Sequence, residues 1–351
     1  MAAQKNVRGV HKGAITVTQI AARAQVSIGT VSHVLNKSAN VRDKLRLRVE
    51  KAIADLGYQP SQLARGLRRS TTDLIGMIIP DIMNPFFTSI VRGAEDIAYK
   101  QGFRLVLCNT DNDSHKEITY LNDLNSFRPA GLLVIPSEQS ELPEYLSQSN
   151  ANAVLVDRCP DTWMGDIVRA DNEGGGYQAG RHLLDMGHRV IAAIGGPHRL
   201  SSARDRMMGF QRALHEARLK MPADRIEECP FTAESGLICA MRLLQAKTRP
   251  TAIFAANDLL ASGVLSAMHR LKLRCPEDVS LIGFDDLDFA RMTKPALTTI
   301  RQPAYQMGST ACQILLSRDP SQQKRQVITL EATLKMRDSV QVIASAHSRP
   351  K

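Results

Sequence analysis

From Asp73 onward, apolar runs of strand length alternate with amphipathic stretches of helix length. The runs Leu74–Ile79, Arg104–Asn109, Gly131–Ile135, Ala153–Val156, Val190–Gly195, Ala252–Ala255 and Val279–Phe284 predict strands. Between them, Pro85–Gln101, His115–Ser126, Gly176–Met186, Ala203–Arg218, Ser235–Gln245 and Asp258–Leu271 predict helices. Strands and helices alternating at this spacing form parallel sheets covered on both faces. These units are more than one sheet comfortably uses, so the pattern predicts two α/β lobes.

Residues 14–57 follow another rhythm, that of three short helices. The first begins at Thr16-Val17-Thr18, where a threonine can cap it, and runs to Ala24, and Gln25-Val26-Ser27 breaks it. Ser27 can cap the second, Ile28 to Leu35. A polar loop follows, and the third helix runs from about Arg42 to Leu56, with Gly57 as its stop signal. Ile20, Ala24, Val26, Val31, Leu35, Val49, Ile53 and Leu56 would form a small common core. Pro60 ends this unit. Ser61 to Arg69 could make two turns of helix, weakened by Gly66. A free peptide that short is not helical in water, so a linker that folds only when bound is expected.

Charge separates the same two regions. The chain carries a net charge of +10. Residues 1–72 hold 13 Lys and Arg against only Asp43, Glu50 and Asp55, so the rest of the chain is neutral. Excess positive charge this segregated points to a polyanionic partner. The six cysteines are scattered without a CxxC pair, which suits buried thiols in a reducing compartment and no metal. No run of about 20 apolar residues offers a membrane span. The basic start of the chain lacks the apolar segment of a secretory signal, so a cytoplasmic protein is expected.

The second short helix suits a DNA-reading role. Val31 and Leu35 are spaced to face inward, leaving Ile28, Gly29, Ser32, His33 and Asn36 outward. Hydroxyls and amides there can bond phosphates or bases; His33 could donate to a guanine and Ile28 could touch a thymine methyl. Residues Ile15 to Asn36, followed by Leu56-Gly57-Tyr58-Gln59-Pro60-Ser61-Gln62-Leu63-Ala64-Arg65-Gly66-Leu67, resemble the lactose-repressor/galactose-repressor family of bacterial transcription regulators. The likeness continues to about residue 340. It implies base reading by Ile28, Gly29 and His33, with Thr16, Ser27, Thr30, Ser32 and Asn36 mostly on phosphates. Thr18 and Ser61 join that DNA-contacting set. Gly29 has no side chain to read with, and His33 stands where many members carry Arg. The linker matches the family's hinge helix, with Leu67 as a minor-groove wedge, Ala64 packed beside it and Arg65 on the backbone.

In open α/β sheets, ligands bind beyond the carboxyl ends of the strands. Asp81 to Phe87, Asn109 to Asp111, Ser137, Asp157-Arg158, Asn257-Asp258 and Asp285-Asp286 follow the apolar runs and are candidates. Helix capping is an equal alternative for Asp111 and Asp258. The resemblance implies a two-lobed domain like the periplasmic sugar-binding proteins, with crossings near Ala170–Asn172, Asp286–Asp288 and Leu330–Ala332. It makes Arg206, Asn257 and Asp285 polar effector contacts, Phe231 an aromatic cover, and Phe87 and Ser137 further contacts. A polyol or another oxygen-rich molecule suits these groups. Trp163, in a polar loop, reads as a surface-anchoring residue.

The expected organisation is a helix-turn-helix head over 1–58, a hinge over 59–72, an effector-binding and dimerisation domain over 73–345, and a tail over 346–351. The tail lacks the apolar heptads that the family's tetrameric members carry, so the resemblance implies a dimer. The expected partners are an operator duplex, a small-molecule effector and a second copy, with no cofactor and no membrane. Whether the effector releases or tightens DNA is open. Two other classes compete. A solute receptor without DNA function fits the lobes but not the basic head. An enzyme could use His188, His198, Ser201 and Asp205, yet no G-x-S-x-G elbow accompanies them.

Overall fold

The computed structural model describes residues 15–35, 41–58, 72–149, 151–160, 162–318 and 325–343. They divide between Thr72 and Asp73 into two compact units. The first unit contains α1 (Val17–Ala24), α2 (Ile28–Leu35) and α3 (Asp43–Leu56). Thr16 and Gln19 form a reciprocal capping box at the start of α1. Gln25, at φ 52°, turns the chain sharply out of α1 toward α2. The Arg48 guanidinium donates to the Gln25 carbonyl and so ties α3 to that turn. Ile20, Ala21, Ala24, Val31, Val34, Val49 and Ala52 form the buried core, while Val26, Leu35, Ile53 and Leu56 pack around it half-buried.

The second unit is built on two six-stranded sheets. The first contains β1 (Leu74–Ile79), β2 (Arg104–Asn109), β3 (Gly131–Val134), β4 (Ala153–Val156), β5 (Asp166–Ala170) and β11 (Val327–Leu330). The second contains β6 (Ile191–Gly195), β7 (Ile226–Glu228), β8 (Ala252–Ala255), β9 (Ser280–Asp285), β10 (Thr298–Arg301) and β12 (Thr333–Lys335). Their orders are β11-β5-β4-β3-β1-β2 and β12-β10-β9-β8-β6-β7. The two lobes therefore repeat one doubly wound order. Every pairing is parallel except β10 with β12. On β1, Ile75, Met77 and Ile79 enter one core cluster and Ile78 another, as a sheet covered on both faces requires.

The helices are α4 (Pro85–Lys100), α5 (Ser114–Ser126), α6 (Leu142–Ser149), α7 (Asn172–Asp185), α8 (Ser201–Glu216), α9 (Ala233–Leu244), α10 (Asp258–Arg270) and α11 (Ala304–Ser317). The chain passes between lobes where β5 gives way to α7, and again between β11 and β12. The remaining crossing corrects the expectation at Asp286–Asp288. There β9 leads to β10 within the same sheet, and the chain leaves only after Arg301, through Gln302-Pro303, into α11, which packs on α4 of the first lobe. Leu287 nevertheless joins the first lobe's core, so this stretch touches that lobe without entering it.

Trp163 also differs from expectation. It is buried in the first lobe's core, and its indole N–H donates to the Asp166 carbonyl at 3.0 Å. The missing Cβ of Gly165 leaves room for the ring. Helices α7 and α8 meet backbone to backbone. A Cβ at Gly176 would collide with the Arg206 carbonyl, and one at Gly209 with the Glu173 carbonyl. That contact sets where α8 presents Arg206.

Candidate functional site

Two surfaces carry candidate chemistry. On the first unit, the outer face of α2 is open. Ile28 is 54% exposed despite being apolar, and Gly29 and His33 are exposed beside it. Thr30 and Ser32 are half-buried, and Thr16 and Thr18 are exposed at the start of α1. Ser27 caps α2 by accepting from the Thr30 N–H at 3.1 Å, so the sequence's capping and phosphate roles meet in one hydroxyl. Asn36 and the linker positions Ser61, Ala64, Arg65 and Leu67 lie outside the described residues. A Cβ at Gly29 would meet only the Ser27 hydroxyl, at 3.7 Å. Packing does not explain a helix-weakening glycine there. Gly29→Ala should raise the head's stability by up to about 1 kcal/mol, read by thermal unfolding. An accompanying loss of DNA affinity would place DNA against this turn of α2.

The second surface is the cleft between the carboxyl ends of the two sheets. Arg206 organises its second-lobe side. The guanidinium is buried, donating from Nε to Asn172 at 2.8 Å and from Nη1 to the Ala256 carbonyl at 2.7 Å. Asp285 lies 3.4 Å from Nη1, and the Phe284 ring lies 4.0 Å beneath the guanidinium. Phe231 is 5.8 Å away and rests on Gly196. Gln302, in the second interlobe crossing, donates to Asp285 at 2.7 Å. Asn257 is adjacent to Ala256, and its Oδ1 caps α10 through the Leu260 N–H. Asp258 caps nothing: it accepts from the Leu287 N–H and the Thr299 hydroxyl. Asp111 is not a cap either, since Asp113 caps α5 and Asp111 pairs with Lys116.

Arg158 organises the first-lobe side. It donates to the Pro136 carbonyl at 3.1 Å and lies 5.3 Å over the Phe87 ring. Asp157 precedes it at φ 67°, a left-handed conformation an aspartate tolerates better than most residues. Ser137 is buried next to Pro136, and its N–H donates to Glu117 on α5. The amide of Cys159 closes the lobes by donating to the Ser201 hydroxyl at 3.0 Å. The six effector candidates therefore gather around two arginines. Asp157-Arg158 is among the ligand candidates that follow the apolar runs, whereas nothing in the sequence marks Glu117. Glu117 lies in the first turn of a helix whose sequence shows only an ordinary acidic start. His188 bonds Thr251 and Gln341 while His198 pairs with Glu228, so the hydrolytic grouping is split between separate partners.

Burial pushes the Asp285 carboxyl up, to about 7, against the opposing pull of Arg206 and Gln302. Burial likewise raises Asp157 and Glu117. A carboxyl whose folded pKa lies above its unfolded value of about 4 binds more protons when folded, so stability falls as pH rises between the two values. Asp285→Asn removes that contribution. The melting temperature of the variant minus that of the wild type should therefore climb from pH 4 to about pH 7 and then level off. A difference that stays flat with pH would show that Asp285 titrates normally.

Comparisons with known proteins bear on both surfaces. Residues 16–61 match the model of bacterial regulatory proteins, lacI family, and residues 181–340 match that of a periplasmic binding protein-like domain. The HTH-type transcriptional repressor PurR of Photobacterium profundum is 37% identical over 328 residues, covering 93% of this chain and 98% of the relative. Its counterpart in Aliivibrio salmonicida is 39% identical over 307 residues, covering 86% and 92%. A lac repressor dimer bound to operator and the anti-inducer ONPF superposes with a TM-score of 0.84 at 28% identity, over 93% of this chain and 99% of that one. A complex of the regulator CelR with cellobiose gives 0.72 at 29% identity, over 93% and 99%.

Proposed function

Because this chain belongs to the LacI family of bacterial regulatory proteins, we propose that it is a cytoplasmic, non-enzymatic repressor that reads a palindromic operator as a dimer. A small molecule held between its lobes sets the operator affinity. The observation that carries this reading is the open face of α2, with Ile28 uncovered, on a chain whose whole excess of positive charge lies in residues 1–72. Ile28 and His33 read bases, Thr16, Thr18, Ser27, Thr30, Ser32 and Asn36 hold the backbone, and Gly29 admits a close approach. Ser61, Ala64 and Arg65 flank the wedge Leu67, which unstacks a central base step. In the cleft, Arg206, Asn257, Asp285 and Phe231 face Phe87 and Ser137 across the ligand. The lobe arrangement it favours alters the spacing of the paired hinges.

Selection from random duplex DNA with the purified full-length protein tests this reading. The expected product is a near-palindrome with half-sites about one helical turn apart. Leu67→Ala should weaken binding to it, and His33→Ala should relax the base preference within each half-site. Enrichment of sequences without dyad symmetry, in the absence and presence of cell metabolites, would sink the proposal.

A further inference from the structure

Away from the cleft, the second lobe carries a groove of about 480 Å³ lined by Leu265, Ser266, His269, Arg270, Thr293 and Lys294. The first four come from the C-terminal half of α10, and the last two from the loop between β9 and β10. α10 is 13 residues long, so its last turn lies about 15–20 Å from Asn257, which caps its other end at the cleft. The groove is therefore a separate place from the one that Arg206 and Asp285 occupy.

Its charge is one-sided. No carboxylate lines it, and its three basic side chains are all exposed. Among the described residues, His269, Arg270 and Lys294 make no side-chain hydrogen bond and no ion pair. Elsewhere on this lobe arginines meet carboxylates: Arg181 with Asp185, Arg242 with Glu227, Arg274 with Asp278 and Arg301 with Asp286. A basic residue in a helix's last turn complements the helix carbonyls, which accounts for His269 and Arg270 taken singly. It does not account for Lys294, which a different segment brings to the same groove.

The hydroxyls narrow the chemistry. Ser266 donates to the Ser262 carbonyl at 3.0 Å, and Thr293 donates to the Ala290 carbonyl at 3.2 Å. Both hydroxyl protons are thus engaged, and both oxygens keep lone pairs for an incoming donor. Arg270 and Lys294 together supply two positive charges, which match the charge of about −1.5 to −2 on a phosphate monoester at neutral pH. A guanidinium can also meet two phosphate oxygens at once. Leu265 leaves part of the lining apolar.

We infer that this groove is a second ligand site, which takes a small phosphate monoester whose own hydroxyl groups donate to Ser266 and Thr293. The phosphate is held by His269, Arg270 and Lys294. The inference stands independently of the operator and cleft readings above.

Isothermal titration of the full-length protein with glycerol phosphate, inorganic phosphate and glycerol, at constant ionic strength, tests it. The wild type should bind glycerol phosphate saturably, inorganic phosphate more weakly and glycerol not at all. Arg270→Ala/Lys294→Ala should weaken glycerol phosphate binding about tenfold or more, since hydrogen bonds to charged groups are the strong ones. Both side chains are exposed, so the melting temperature should stay at the wild-type value. Lys220→Ala/Lys247→Ala removes the same charge from exposed positions outside the groove and should bind as the wild type does. That control separates the groove from general attraction, including that of the basic residues 1–72. Absence of saturable binding overturns the inference, as do equal affinities for the two phosphates or equal losses in the two double variants. A groove variant that dissociates a dimer in sedimentation while binding glycerol phosphate normally would show that this face joins two copies, and overturns it too. Selection of a palindrome by the same preparation would leave the operator reading standing in each of these cases.

Discussion

Arg206→Ala should destabilise the second unit by about 3–5 kcal/mol and abolish the response to a cleft ligand in the same protein. Removing one member of a buried ion pair leaves the other uncompensated, and this asymmetry makes the loss large. Here the orphan would be Asp285, whose side chain is 3% exposed and 3.4 Å from Nη1. Asn172 and the Ala256 carbonyl would lose their donors as well, and Phe284 its covering cation. Protonation of Asp285 would relieve part of the cost, so the defect should be smaller at pH 5 than at pH 8. Arg206→Lys should recover only part of the stability, since an ammonium cannot reproduce the planar fork that reaches Asn172 and the Ala256 carbonyl together. Chemical denaturation at the two pH values reads both effects. A wild-type unfolding midpoint for Arg206→Ala would show that Asp285 is not held by this residue.

Gly209→Val should cost about 3 kcal/mol by a different route. The backbones of α7 and α8 approach through Gly176 and Gly209, and a side chain at 209 would strike the Glu173 carbonyl and the Tyr177 N–H. Neither belongs to a flexible side chain that could swing aside, so the helices must part or shift. Arg206 is one turn before Gly209 on α8, and Asn172 opens α7. A change in helix spacing therefore moves the Nε contact between them. Denaturation should register the lost stability, and the thermal shift induced by a cleft ligand should fall with it. Gly102→Ala is the contrast. Gly102 has φ 84° but nothing within 4 Å of its would-be Cβ, so its cost is backbone strain alone, about 1–2 kcal/mol. Equal effects of the two variants on the ligand response would argue against the spacing account.

Much of the architecture was legible because its signals are local. The head's three helices begin and end where Thr16, Gln25 and Gly57 place caps and turns. The seven apolar runs all became strands because a sheet covered on both faces needs continuous apolar segments. Strands such as β5, Asp-Ile-Val-Arg-Ala, and β7, Ile-Glu-Glu, escaped because they are short and carry charges. Helix α11 escaped because its apolar face, Met307, Ala311, Cys312 and Leu315, is diluted by small and polar residues. The crossing at Gln302-Pro303 depends on which lobe α11 covers, a tertiary choice without a local mark.

The site was legible to a similar depth. Arg206, Asp285 and Phe231, which the family resemblance makes effector contacts, lie beside one another in the fold. Glu117 could not be found from sequence. An acidic residue in a helix's first turn ordinarily faces water, and only the fold brings this one under the loop that carries Ser137. Trp163 misled for the converse reason: polar neighbours in sequence gave no hint of the space left by Gly165.

On the proposed reading, occupancy of the cleft sets the affinity of the head for its operator. Fluorescence anisotropy of the selected operator, titrated with full-length protein with and without a compound that binds in the cleft, tests it directly. The operator Kd should change by about tenfold or more, with the operator changing the compound's affinity by the same factor, as linkage requires. A compound that binds and stabilises the protein while leaving the operator Kd unchanged would contradict it.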